Sequence, residues 1–158
     1  MLGYVCKYTP MELFEAMDTE ITRLEPSVTD FNHADTLMHA NICSYTKAVL
    51  EDVMEHDYEG VILTTCCDSI RRLYDTLKSQ FPDKFFFLLD IPRKFNDFAV
   101  TLYERQLKQM LTEYEAFSGK TLDLKRFVSM MQNKAALKKQ ENTRMSASAA
   151  SEKGNGQK

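Results

Sequence analysis

The chain has 158 residues, 44% hydrophobic and 27% charged, with a formal net charge of −3. That length suits one domain with its own core, and the slight negative charge argues against general affinity for nucleic acid or an anionic membrane. No run of about 18 apolar residues offers a membrane span, and MLGYVCKYTP is too short and polar for a secretory signal. The expected compartment is the cytoplasm, where the four cysteines stay reduced.

In chain order, residues 2–8 (LGYVCKY) predict a strand, and Thr9-Pro10 a helix start with Thr9 as cap and Pro10 at the first helical position. Residues 26–42 lack sustained periodicity and read as a loop with short turns. A helix is predicted from about Ser44 to Glu55, with Val49, Leu50, Val53 and Met54 on its apolar face. VILTT (61–65) reads as a buried strand. Asp68 or Ser69 caps the next helix, which turns Ile70, Leu73, Tyr74 and Leu77 inward, and FFFLLDIP (85–92) gives another buried strand.

Asn96 or Asp97 opens a longer helix carrying Tyr103, Leu107, Met110, Leu111, Tyr114 and Phe117 on one stripe, and Gly119 ends it in the left-handed conformation. Asp123 caps a last helix with Leu124, Phe127, Val128 and Met131 inward. The domain is expected to span residues 1–139, followed by a disordered polar tail over 140–158.

Apolar strands separated by helices predict an α/β fold: a parallel sheet covered on both faces, a three-layer Rossmann- or flavodoxin-like domain with C-terminal helices. Ligands in such folds bind at the carboxyl ends of the strands. Cys66 and Cys67 fall on one such turn and Cys43 just before another helix. A helix N-terminus favours the thiolate, the form that binds metal or acts as nucleophile. Burial as small apolar groups is the competing reading. The spacing from Cys43 to Cys67 matches no compact zinc or ferredoxin signature, and no CxxC is present. Arg71, Arg72 and Lys47 stand where they could contact a phosphate or carboxylate, or are solvated helical charges. His33, His39 and His56 read as isolated surface residues.

Five stretches together, GYVCKYTPMELFEA (3–16), ICSYTKAVLE (42–51), GVILTTCCDSIRRLYD (60–75), FFLLDIPR (86–93) and FSGKTLDLKRFVSMMQNKAALKK (117–139), resemble the 2-hydroxyacyl-CoA dehydratase family, which includes 2-hydroxyglutaryl-CoA dehydratase and benzoyl-CoA reductase subunits. The resemblance implies an oxygen-sensitive [4Fe–4S] cluster held by cysteine thiolates, and an ATP-hydrolysing iron–sulfur activator that supplies one electron. It also implies radical, ketyl-type dehydration of a 2-hydroxyacyl-CoA, a lyase reaction. By position it implies Cys43 and Cys67 as iron ligands, with Cys66 competing for the second place. Cys6 matches a recurring family cysteine that is not expected to be a ligand.

The family's second α/β domain, with a further cysteine ligand and much of the acyl-CoA site, has no counterpart before the polar tail. The expectation is therefore a truncated or split subunit, active only with a second dehydratase subunit or the missing C-terminal domain. Two other readings stand beside it: a non-catalytic α/β remnant or assembly module without the cluster, and a phosphate- or nucleotide-binding domain using Arg71 and Arg72.

Overall fold

The computed structural model describes residues 1–137; the tail expected over 140–158 lies outside them. The chain divides into two units, Met1–Leu122 and Asp123–Lys158.

The first unit is built on four parallel strands: β1 (Leu2–Tyr4), β2 (Ile21–Arg23), β3 (Gly60–Thr64) and β4 (Phe85–Leu89). Their order is β2-β1-β3-β4. Leu2 pairs with Ile21 on one side and Gly60 on the other, and Gly60 pairs with Phe85. The helices are α1 (Met11–Ala16), α2 (Asn32–Leu37), α3 (Ser44–Glu55), α4 (Asp68–Gln80) and α5 (Asp97–Ser118). The expected α/β class with an all-parallel sheet is what the chain adopts.

The strands are apolar on both sides because helices cover both sides. Val61 and Leu63 of β3 join Val49, Leu50 and Val53 of α3 and Ile70, Leu73 and Leu77 of α4 in one core. Opposite, the Tyr114 ring of α5 meets Phe14 of α1 and Phe85 of β4 edge-on, with centroids 5.1 and 5.0 Å away. Edge-on contact sets ring edge against ring face, the favoured aromatic geometry. The Tyr114 hydroxyl donates to Glu59 Oε1 at 2.6 Å and lies 3.1 Å from Thr19 Oγ1, so this buried phenol is satisfied. Burial and Glu59 push its pKa up to about 12.

Several helix ends follow the predicted chemistry. Asn96 caps α5, its Oδ1 accepting from the Ala99 amide at 2.8 Å, and Gly119 ends it at φ 70°. Other expectations need correction. Thr9 does not cap α1: Pro10 holds the cap position, and the Thr9 hydroxyl is buried without a partner. Neither Asp68 nor Ser69 caps α4, because Cys67 occupies that position, and Cys43, not Ser44, precedes α3. Helix α2 falls where a loop with short turns was expected, and strand β2 lies in a stretch for which no element was predicted. On α5 only Met110 and Tyr114 of the predicted stripe are buried, and Phe117 is exposed.

In the second unit a helix runs through residues 124–137. Asp123 Oδ1 accepts from the Lys125 and Arg126 amides at 2.9 and 3.1 Å, the capping role expected of it. Leu124, Val128 and Met131, expected inward, are exposed.

Candidate functional site

In this strand order the chain leaves β1 toward β2 on one side and returns to β3 on the other. The switch point therefore falls between β1 and β3, where the diverging connections open a crevice at the carboxyl ends. Val5 and Cys6 follow β1 there, and Thr65, Cys66 and Cys67 follow β3. Helix α3 feeds the amino end of β3, so its own start lies at this same edge and carries Cys43. The topology thus brings all four cysteines to one edge of the sheet.

All four are free thiols: Cys43, Cys66 and Cys67 exposed, Cys6 half-buried. Burial as small packing groups is therefore not how the first three are used. Cys43 adopts an extended backbone (φ −64°, ψ 149°) as N-cap of α3, and Cys67 does so (φ −156°, ψ 168°) as N-cap of α4. The Cys67 side chain makes no capping hydrogen bond to its helix, and both sulfurs belong to exposed residues. The Cys43 sulfur lies 3.1 Å from Thr46 Oγ1. That hydrogen bond, aided by others from the Thr46 and Tyr45 amides and the Ser69 hydroxyl, holds the Cys43 thiol below its ordinary pKa against the opposing effect of burial. Ser69 belongs to the first turn of α4, so the two cysteine-led helices meet at their N-terminal ends.

Tyr45 stands within electrostatic reach of Cys6, Cys66 and Arg23. Partial desolvation, reinforced by those thiols, raises its phenol pKa, while Arg23 opposes the rise. Tyr45 and Thr46 were not singled out in the sequence, and Ser69 only as a candidate helix cap. Their position two or three residues after a cysteine at a helix start was the signal available.

The candidate cationic residues separate. Lys47 Nζ pairs with Asp35 Oδ1 at 2.5 Å and lies over the Phe31 ring, so its charge ties α3 to α2. Arg72 pairs with Asp75 at 3.6 Å, and Arg71 and Arg72 line an open depression of about 350 Å3 with Asp68, Tyr74 and Leu88. His33, read as isolated, has its Nδ1 2.7 Å from Glu51 Oε2.

Among the described residues no three His, Cys, Asp or Glu side chains stand together closely enough to hold one metal ion. The donor chemistry of the edge nevertheless suits a thiolate-bound group: exposed sulfurs, one with a depressed pKa, at two helix N-termini. The described chain fits part of such a shell. Among its described residues no helix is long and apolar enough to cross a membrane.

Sheet order and thiol edge together define an α/β domain of the flavodoxin-like order, with cysteines along its carboxyl edge. The family described as 2-hydroxyglutaryl-CoA dehydratase, D-component, matches residues 6–152, and the chain belongs to that family. No curated protein matches the chain.

Proposed function

We propose that this chain is a subunit of a 2-hydroxyacyl-CoA dehydratase system that contributes Cys43 and Cys67 to a [4Fe–4S] cluster, with the shell completed by a partner subunit or a further domain. The observation that carries this reading is the pair of exposed cysteines N-capping α3 and α4 on one sheet edge. Helix N-termini favour the thiolate, and thiolates are the ligands such a cluster requires. Cys66 is the alternative to Cys67. When bound, the cluster would supply one-electron chemistry to the thioester of a 2-hydroxyacyl-CoA.

What this chain's own residues do is more limited. Thr46 and Ser69 hold Cys43 toward its anionic form, and Arg71 and Arg72 offer positive charge to a phosphate of coenzyme A. Lys47, also considered for that contact, has Asp35 as its partner. An ATP-dependent iron–sulfur activator would complete the system. Reduced thiols and an oxygen-sensitive group suit the cytoplasm.

The test is anaerobic purification of the chain with its candidate partner subunit, followed by iron and sulfide assay and absorption in the thiolate-to-iron charge-transfer region. Bound iron that is lost in Cys43→Ser and Cys67→Ser supports the proposal. Loss in Cys66→Ser but not Cys67→Ser would move the second ligand by one residue. A colourless, iron-free complex after reconstitution would leave a non-catalytic assembly module as the reading.

A further inference from the structure

We propose that a second site on the carboxyl edge, the groove between the β1–α1 loop and the start of α5, binds a small apolar monocarboxylate, a medium straight-chain or aryl carboxylic acid. The site is distinct from the cysteine-led helix starts and needs no metal.

The groove encloses about 480 Å3 and is walled by Tyr8, Ile91, Pro92, Phe95, Val100 and Tyr103. Pockets for small organic ligands run from about 300 to 1,000 Å3. Its position follows from topology: β1 and β4 both end at this edge, and α5 begins there. The apolar side chains are not hidden by the fold. Phe95 is 97% exposed, and Phe98, the second residue of α5 and beside the lining rather than part of it, 78%. Leaving two phenylalanines in water forgoes the usual stabilisation of burying them, so a cluster of this kind marks a binding surface. The wall is also held in place, because the Asn96 cap fixes the first turn of α5.

Charge decides the ligand class. Arg93, Lys94 and Ala99 complete the lining, which contains no acidic residue, although Glu12 stands within electrostatic reach of Tyr103. Lys7 adds a third cation nearby, its Nζ 5.1 Å from the centre of the Tyr8 ring. Neither Arg93 nor Lys94 has an acidic partner among the described residues, whereas Lys47, Lys84 and Lys108 each do. Unpaired cations beside an apolar wall complement an anion with an apolar body. A short dicarboxylate could pair both charges with these cations but has no hydrocarbon body to cover the apolar wall, and so forgoes that part of the stabilisation. One carboxylate and a hydrocarbon or aryl body satisfy both halves of the groove.

The test is calorimetric titration of the full chain, without metal, with octanoate, and with octanol and glutarate as controls. Octanoate should bind saturably at a single site, octanol about tenfold more weakly for want of the charged contact, and glutarate more weakly than octanoate for want of an apolar body. Val100→Asp, at a half-exposed position, should abolish octanoate binding without changing the thermal midpoint, and Arg93→Gln with Lys94→Gln should reduce it to the octanol level. Absence of saturable octanoate binding, equal affinity for octanol, or binding retained in Val100→Asp would overturn the proposal. None of these readouts depends on iron, so the groove and the cluster reading can fail separately.

Discussion

His33 Nδ1 and Glu51 Oε2 lie 2.7 Å apart across α2 and α3, while Glu51 Oε1 accepts the Ala34 amide at 2.8 Å. One carboxylate, 2% exposed, thus clamps a short helix that has no other side-chain cap. Burial alone would raise the Glu51 pKa, but the Ala34 amide and His33 outweigh it and hold the group below its ordinary value.

Glu51→Ala strands a buried amide and should cost about 2–3 kcal/mol in urea unfolding. Glu51→Gln keeps the acceptor for Ala34 and should cost less. Because the folded pKa is depressed, the carboxylate's contribution is present above the unfolded value of about 4.3 and is lost as pH falls through the folded one. The gap between wild type and Glu51→Gln should therefore close only under acidic conditions below that value.

Gly60 is required by close approach. A Cβ there would stand 2.0 Å from the Phe85 carbonyl oxygen and 2.7 Å from its carbon, both backbone atoms of the paired strand. Gly60→Ala should therefore separate β3 from β4 and destabilise the domain by about 3 kcal/mol or more. Denaturant titration would measure this, and a loss below about 1 kcal/mol would contradict it.

Tyr114→Phe keeps the ring cluster with Phe14, Phe85 and Phe117 and removes only the hydroxyl. Glu59 is partly exposed and can recruit water, so the expected loss is about 1 kcal/mol near neutral pH. With the folded phenol pushed up to about 12 and an unfolded value near about 10, the Tyr114 contribution is full below the unfolded value. It is lost as pH rises toward the folded one. Wild type and Tyr114→Phe should thus converge in thermal scans over that alkaline window.

Thr46→Val preserves side-chain shape in a fully buried position but deletes the hydroxyl beside Cys43. The pH midpoint for alkylation of Cys43, read by peptide mapping, should move upward, with the rate at neutral pH falling. An unchanged midpoint would mean that Thr46 does not set the thiol's acidity.

The legible parts of the fold were those in which local chemistry and burial agree. VIL (61–63) and FFFLL (85–89) are uniformly apolar because both faces of β3 and β4 are covered, and Asn96 and Gly119 sit where a cap and a left-handed stop are needed. Strand β2 escaped notice because Ile21–Arg23 is short and partly exposed at the sheet edge, so it has no apolar run to display. Helix α2 depends on Glu51, a residue far along the chain, and local pattern cannot carry that dependence. The thiol edge was legible as far as Cys43, Cys66 and Cys67. Its neighbours, Ser69 on another helix, which bonds Cys43, and Tyr45 within electrostatic reach of Cys6 and Cys66, depend on tertiary placement.

The pairing of Leu2 with Gly60 has a consequence for synthesis. The central strand of the sheet is made first, yet the neighbour that joins it to the rest of the core is translated only after α1, β2, α2 and α3. Until then β1 has only β2 beside it, and a short two-stranded pairing is marginal in water. Contacts so distant in sequence slow folding. The nascent chain therefore carries Cys6 and the apolar residues of β1 without β3 beside them until β3 clears the ribosome, and a chain stalled before Gly60 would present those groups to chaperones instead of a complete sheet.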